Sequence, residues 1–202
     1  QENLALRAAL MRVRRLLSTY ESTEDEDLLP EIRKGLQRQL GLVGQFDIHY
    51  QRKEELMFPI MESYGHDSPP KVMWGVDDQI RDLFQEAKIA AEQLPDTSIE
   101  EVKDKFETFA AEFEAMIFKE ESILLMILLE SFHQDDWLKI AEESDAYGYA
   151  IIKPTEKWIP ARHSFSEEEA GDAADEGSEA PASREQASNG RFEQVIDTPD
   201  GQ

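Results

Sequence analysis

Hydrophobic residues recur through the first two thirds of the chain at three- and four-residue spacing, the pattern of amphipathic helices. Leu6, Leu10, Val13 and Leu17 make one such face and predict a first helix from Glu2 to Tyr20, with Arg7, Arg12, Arg14 and Arg15 on the other positions. An acidic connection follows from Glu21 to Asp27, and Pro30 then suits the first turn of a second helix, where its missing N–H costs nothing. Ile32, Leu36, Val43, Phe46 and Tyr50 carry that helix to about Tyr64, with a kink expected at Pro59. Gly65-His66-Asp67-Ser68-Pro69-Pro70 reads as a turn. A third helix, Lys71 to Leu94, turns Met73, Val76, Ile80, Leu83, Ala87 and Ala90 inward. Ser98-Ile99-Glu100-Glu101 has the spacing of a capping box and opens a fourth helix that runs to about Phe132. A short fifth helix, Asp135 to Tyr147, carries Trp137, Ile140 and Ala141. Beyond it a strip from Tyr149 to Pro160, with Ile151, Ile152 and Trp158, is expected along the outside. Four long amphipathic helices joined by short loops predict an all-α fold over residues 1–162, an antiparallel up-down bundle with a short fifth helix.

Two of these apolar stripes are interrupted by charge. Leu42, Phe46, His49, Lys53, Leu56 and Ile60 share one face of the second helix. On the fourth, Val102, Phe106, Phe109, Phe113, Met116, Glu120, Ile123 and Ile127 share one face, with Glu120 its sole charge. An unpaired buried charge costs several kcal/mol, roughly, so His49, Lys53 and Glu120 are expected to meet one another. An inward ammonium with no anion beside it would shed its proton, so Lys53 is expected to point inward and pair with Glu120.

Composition narrows the functional classes. The 202 residues carry a formal net charge of −23, which repels a phosphate backbone and argues against nucleic acid as a partner. With no cysteine there is no disulfide, thiolate metal site or cysteine nucleophile. No apolar run approaches the length of a membrane span, and no signal-peptide pattern is present, so a cytoplasmic location is expected. Neither a Ser/His/Asp arrangement nor a glycine-rich phosphate loop appears. The remaining histidines read plainly: His66 as a solvent-facing loop residue, His133 as a contact at the end of the fourth helix, His163 as the edge of the tail. Trp74, Trp137 and Trp158 read as packing anchors, with Trp74, beside Gly75, also a candidate cavity wall.

After His163 the composition changes. From Phe165 to Gln202 there are 11 acidic residues against two basic ones, and Ser166 to Asn189 holds no aliphatic residue larger than Ala. Residues 163–190 are therefore expected to be a disordered acidic linker. Arg191-Phe192-Glu193-Gln194-Val195-Ile196-Asp197 looks like the first strand of a further domain, and Gln1 falls within a helical pattern. Both ends read as those of a fragment.

The runs His49 to Pro59, Lys119-Glu120-Glu121-Ser122-Ile123-Leu124 and Pro69-Pro70-Lys71-Val72-Met73-Trp74-Gly75-Val76-Asp77-Asp78 resemble the hemerythrin-like (HHE cation-binding) bundles. More narrowly they are similar to the branch with a domain of unknown function before the bundle and a PAS sensor domain after it. The resemblance covers about Gln1 to Pro160, and Trp74-Gly75-Val76-Asp77-Asp78 is its most specific part. It implies that 191–202 begins the lead-in to a PAS domain. It also implies a di-iron site of His and carboxylate ligands at one-turn spacing. His49 and Phe58-Pro59 match that pattern, but Lys53 stands where a ligand Glu is expected and Met116 where a His is. Met73 and Asp77 stand on the inward stripe of the third helix, where the family has histidines, and the family's first-helix His would lie before Gln1.

The residues leave three readings of this core open. Lys53 and Glu120 form a buried ion pair in place of the metal, with His49 and Asp77 adding hydrogen bonds. A single non-haem iron is held by His49, Glu120 and Asp77. Or His49 and Met116 are axial ligands of a haem. The function expected from the resemblance is a non-enzymatic sensory module that couples a small ligand or redox state to a PAS domain in cis, with a second copy of the chain as a candidate partner in a homodimer. The alternative is a metal-binding protein that handles iron or oxygen.

Overall fold

The computed structural model describes residues 1–156 and 158, and these residues form helices and no strand. The tail expectations, for 163–190 and 191–202, and His163 lie outside the described residues.

Helix α1 (Glu2–Ser22) buries Leu6, Ala9, Leu10, Val13 and Leu17, the face read from the sequence plus Ala9. A single 3-10 turn, Glu26–Leu28, follows, its start capped by the Asp25 carboxylate accepting the Asp27 N–H at 3.0 Å. The stretch from Pro30 to Tyr64, expected as one kinked helix, is three helices and a π turn: α2 (Leu29–Val43), α3 (Phe46–Arg52), the first π turn (Lys53–Met57) and α4 (Phe58–Ser63). The break between α2 and α3 falls at Gly44, where an added Cβ would lie 3.0 Å from the Phe84 ring, so any larger residue would need that ring to give by a few tenths of an ångström. At Pro59 the proline nitrogen has no proton to donate. The chain widens just before it, and the Phe58 N–H reaches back to the Lys53 carbonyl.

Helix α5 (Ser68–Glu92) begins three residues earlier than expected, with Pro69 and Pro70 in its first turn, where proline is tolerated. It buries Met73, Asp77, Ile80, Phe84, Ala87 and Ala90, while Val76 and Leu83 are half-buried. The Ser98 hydroxyl caps α6 (Ile99–Lys119) by accepting the Glu101 N–H at 3.2 Å. A second π turn (Glu120–Leu124) joins α6 to α7 (Leu125–Ser131). This turn corrects the stripe read from the sequence. Its extra residue rotates everything after it, so Ile123 is 55% exposed and Leu124 is buried instead.

Helix α8 (Gln134–Tyr147) begins at His133, whose N–H donates to the Asp136 carboxylate at 2.9 Å. His133 thus starts α8; it is not a contact at the end of the preceding helix. His66, expected to face solvent, is half-buried with its Nε2 2.8 Å from the Ser131 hydroxyl. Gly148, at φ 89°, turns the chain out of α8. The strip beyond it is less external than expected at its start, because Ala150 is fully buried, while Ile152 and Trp158 are exposed.

Helix α1 packs on α2 and α6, α2 on α5, and α5 on α6, so four helical walls enclose the core. Phe46, Phe84, Phe106, Phe109 and Phe113 fill its middle, with Phe46–Phe84 and Phe84–Phe109 ring centres 5.3 and 5.1 Å apart and Phe109 stacked on Phe113 at 5.5 Å. Such pairs add about 0.5–1.5 kcal/mol each beyond the area they bury. No helix among the described residues is long and apolar enough to cross a membrane.

Candidate functional site

The aromatic core gives way, at one end, to a cluster of charges. Both π turns open on a residue of that cluster: Lys53 begins the first and Glu120 the second. The Lys53 ammonium lies 2.6 Å from Glu120 Oε1 and 2.9 Å from Asp77 Oδ1, and 4.0 Å above the Tyr50 ring centre. All three charged groups are buried, Asp77 completely. The expected inward pairing of Lys53 with Glu120 is present, and Asp77 supplies a second carboxylate.

His49 extends the cluster toward α1. Its Nε2 is 3.2 Å from Glu120 Oε2 and its Nδ1 3.2 Å from Glu2 Oε2. A ring flanked by two carboxylates needs both nitrogens as donors, which is the imidazolium. Burial alone would lower its pKa, but the charge of Glu120 and the hydrogen bonds to Glu120 and Glu2 outweigh that and push it up to about 9. Glu120 is held at about 2, since the charges of Lys53 and His49 overcome the upward pull of burial. Glu2 is likewise held at about 2, where burial is outweighed by hydrogen bonds from His49 and Arg52. For Asp77 burial wins over Lys53, and the neighbouring Glu54 carboxyl adds to it, so its pKa rises to about 7.

The rest of the cluster closes around these groups. Arg52 pairs with Glu2 and donates to the Gly148 carbonyl at 2.6 Å. The Ala150 N–H donates to the other oxygen of Glu2 at 2.6 Å, so the strip after α8 seals this end. On the far side Arg81 grips Glu54 with two hydrogen bonds of 3.0 and 2.9 Å and also binds Asp47 and Asp78. Tyr50 lies between the cations, with Arg81 5.6 Å from its ring centre, and burial pushes its phenol far above the usual range. Four buried or half-buried cations, His49, Arg52, Lys53 and Arg81, thus face four carboxylates, Glu2, Glu54, Asp77 and Glu120.

Of the residues singled out from the sequence, His49, Lys53, Asp77 and Glu120 come together. Met116 is fully buried one turn before Glu120 but does not line the cavity beside His49. Trp74 is 43% exposed and packs edge-on against Phe58, 6.0 Å between centres, away from the cluster, so it walls no cofactor cavity there. Sequence reasoning missed Glu2, Arg52 and Glu54, and with Glu54 the hold that Arg81 has on it. Glu2 had a signal, standing four residues before Leu6 on the buried face of α1, and it brings the first helix to His49 from within the chain. Arg52, Lys53 and Glu54 are buried in succession, a run wider than the single apolar stripe read from helical spacing, and the π turn begins within them.

The hemerythrin HHE cation-binding domain family matches residues 1–128. The chain belongs to the hemerythrin family. A comparison with curated proteins returns no significant match. The family's description implies a bound cation, and the donors of this hemerythrin domain do not fit one. Lys53 stands between Asp77 and Glu120, so His49, Glu120 and Asp77 are not assembled around a common point. Among the described residues no group of three or more His, Asp or Glu side chains is placed to hold a metal ion. Both His49 nitrogens are engaged by carboxylates, which leaves neither free as an axial ligand of a haem.

Proposed function

We propose that this chain is a non-catalytic regulatory module of the hemerythrin family, in which a lysine ammonium holds the place of the cation. One observation carries the reading: the Lys53 ammonium at 2.6 and 2.9 Å from two buried carboxylates on different helices. A positive charge between two carboxylates satisfies the same electrostatics as a bound ion, and the chain supplies it covalently. Its charged groups are paired with one another, and its chemistry is that of an ion-pair lock between helical walls. The four walls are taken as an antiparallel up-down bundle. The signal is a small ligand or redox state, and the output a PAS domain carried after the acidic segment. The acidic segment is read as the spacer between the bundle and that domain.

Metal analysis and an absorption spectrum of the purified full-length protein test this reading. The expected result is no stoichiometric iron, no oxo-to-iron band and no Soret band, with the same melting temperature before and after chelation. Stoichiometric iron with oxo-to-iron bands would establish the iron- or oxygen-handling alternative, and a Soret band would establish haem. Coupling has its own test: shortening the segment between Glu167 and Ala187 by a few residues should change signalling to the next domain gradually. An all-or-none loss would rule out a spacer.

A further inference from the structure

A cavity of about 200 Å³ opens beside the charged cluster, between the two π turns. Its walls are Met57 at the end of the first π turn, Leu124, Leu125 and Leu128 along the second and α7, and Trp137 from α8, with Asn3 and Glu121 as a polar edge. His49, Lys53 and Glu120 form its floor. Leu125 is 43% exposed and marks the mouth.

The floor looks polar, yet it asks for no counter-charge. Both nitrogens of His49 and both oxygens of Glu120 are engaged, and Lys53 has two carboxylate partners. Arg52 at the rim is held by Glu2 and the Gly148 carbonyl. An ion entering here would lose its water and find the charged groups already paired, at a cost of several kcal/mol, roughly, while the buried Asn3 Oδ1 is left as an acceptor for a neutral donor. Apart from Asn3 and Glu121, the walls are aliphatic carbon, a thioether and an indole, surfaces that favour an apolar and especially an aromatic guest. An apolar cavity of ~150 Å³ in another protein takes up benzene or xenon, which sets the scale of guest for this one. Two π turns interrupt the helices at the same depth, and each contributes residues to the lining. Such turns favour functional sites, because regular helix would pack better.

We infer that this cavity binds a small uncharged molecule with an aromatic or aliphatic body, of about the size of benzene or toluene. The inference gives a ligand class to the sensory reading and rests on it for its meaning. Its test reads binding alone, so failure here leaves the metal and coupling experiments to stand or fall separately.

Toluene is the probe, with benzoate and benzylamine as charged isosteres, titrated into the full-length protein by calorimetry and by the methyl resonances of Met57, Leu124 and Leu128. Toluene should bind saturably, at least tenfold more tightly than either isostere, and shift those methyl signals. Leu125→Trp, at the exposed mouth, should fill the cavity and weaken toluene binding at least tenfold while leaving the helical circular dichroism unchanged. No saturable toluene binding, or tighter binding of an isostere, overturns the proposal. So does toluene binding that survives in a folded Leu125→Trp protein. Should that variant unfold, the comparison of the three probes on the unmodified chain still decides.

Discussion

The core of this bundle has two halves that are held together by different physics. Around Phe46, Phe84, Phe109 and Phe113 the contacts are aromatic, non-directional and tolerant of small shifts. Around Lys53 each charged group depends on a particular partner from another element, and each has lost its water to get there. Removing a ring leaves a hole, whereas removing a charge leaves an uncompensated opposite charge. The two halves should therefore fail in distinguishable ways.

The largest effect is expected at Lys53. Lys53→Met should destabilise by about 3–5 kcal/mol, because Asp77 and Glu120 are left facing each other's side of the core without their cation. The loss should be strongly pH-dependent and should shrink as the carboxyls are protonated. Phe113→Ala should cost a similar ~3–5 kcal/mol through the cavity it creates, with no such dependence on pH. Denaturant unfolding of both variants across pH separates the two mechanisms. Adding Asp77→Asn and Glu120→Gln to Lys53→Met should recover much of the stability. Glu120→Gln alone with Lys53→Met should already recover much of it below pH 7, because the Asp77 carboxyl, raised to about 7 even beside Lys53, takes up a proton when the cation is gone. Equal pH profiles for Lys53→Met and Phe113→Ala would remove the distinction between the halves.

That distinction also explains what could be read from the sequence. The apolar half was legible in Leu6, Leu10, Val13, Phe106, Phe109 and Phe113, because burial by hydrophobicity follows helical period. Lys53 and Glu120 were legible as charges on apolar stripes, since such charges must find one another. Glu54, and the grip of Arg81 on it, were not. Glu54 is buried only because the first π turn rotates it inward beside Lys53, and the partner of Arg81 is fixed by that rotation. The strip at Gly148 to Ala150 could not be placed by periodicity either, since it packs through backbone groups onto Arg52 and Glu2.

The pH dependence of the unmodified protein comes next in size. Glu2 and Glu120 have folded pKa values near 2, below the ordinary 4.5, so their contribution is complete above pH 4.5 and is lost as pH falls toward 2. His49 is raised from 6.5 to about 9, so its contribution is complete below 6.5 and is lost as pH rises through 9. Asp77 is raised from 3.8 to about 7, and its ionisation likewise removes stability between those values. Stability should therefore peak in mildly acidic solution near pH 5, falling steeply below 4 and more gradually toward 9. His49→Gln should flatten the alkaline limb above 6.5, and Asp77→Asn the portion between 4 and 7. Melting temperatures measured from pH 3 to 10 test both. An alkaline limb unchanged in His49→Gln would show that the imidazolium is not what titrates there.

Surface charge pairs of the same chemistry should matter far less. Arg14 bridges Glu107 and Glu114 between α1 and α6 at 2.9 Å to each, with all three side chains at least a third exposed. Arg14→Ala should cost less than ~1 kcal/mol and become undetectable in high salt, where the Lys53 variants keep their full effect.

The smallest effect is the one that tests the π turn itself. An uninterrupted helix would carry Ile123 on the same buried face as Met116 and Glu120, and Ile123→Ser would then remove a core side chain. The second π turn places Ile123 outward, 55% exposed, and turns Leu124 in at 4%. Ile123→Ser should accordingly change stability by no more than ~0.5 kcal/mol, as at other exposed positions. Leu124→Ala, one residue along, should cost about 2–5 kcal/mol. The contrast between neighbours depends on the inserted residue and on nothing else in the local composition, since both are aliphatic and both lie in the same turn. If the two variants exchange their effects, α6 runs into α7 as regular helix and Glu120 no longer begins a π turn. The wall that Leu124 gives the cavity beside His49 would then be lost with it.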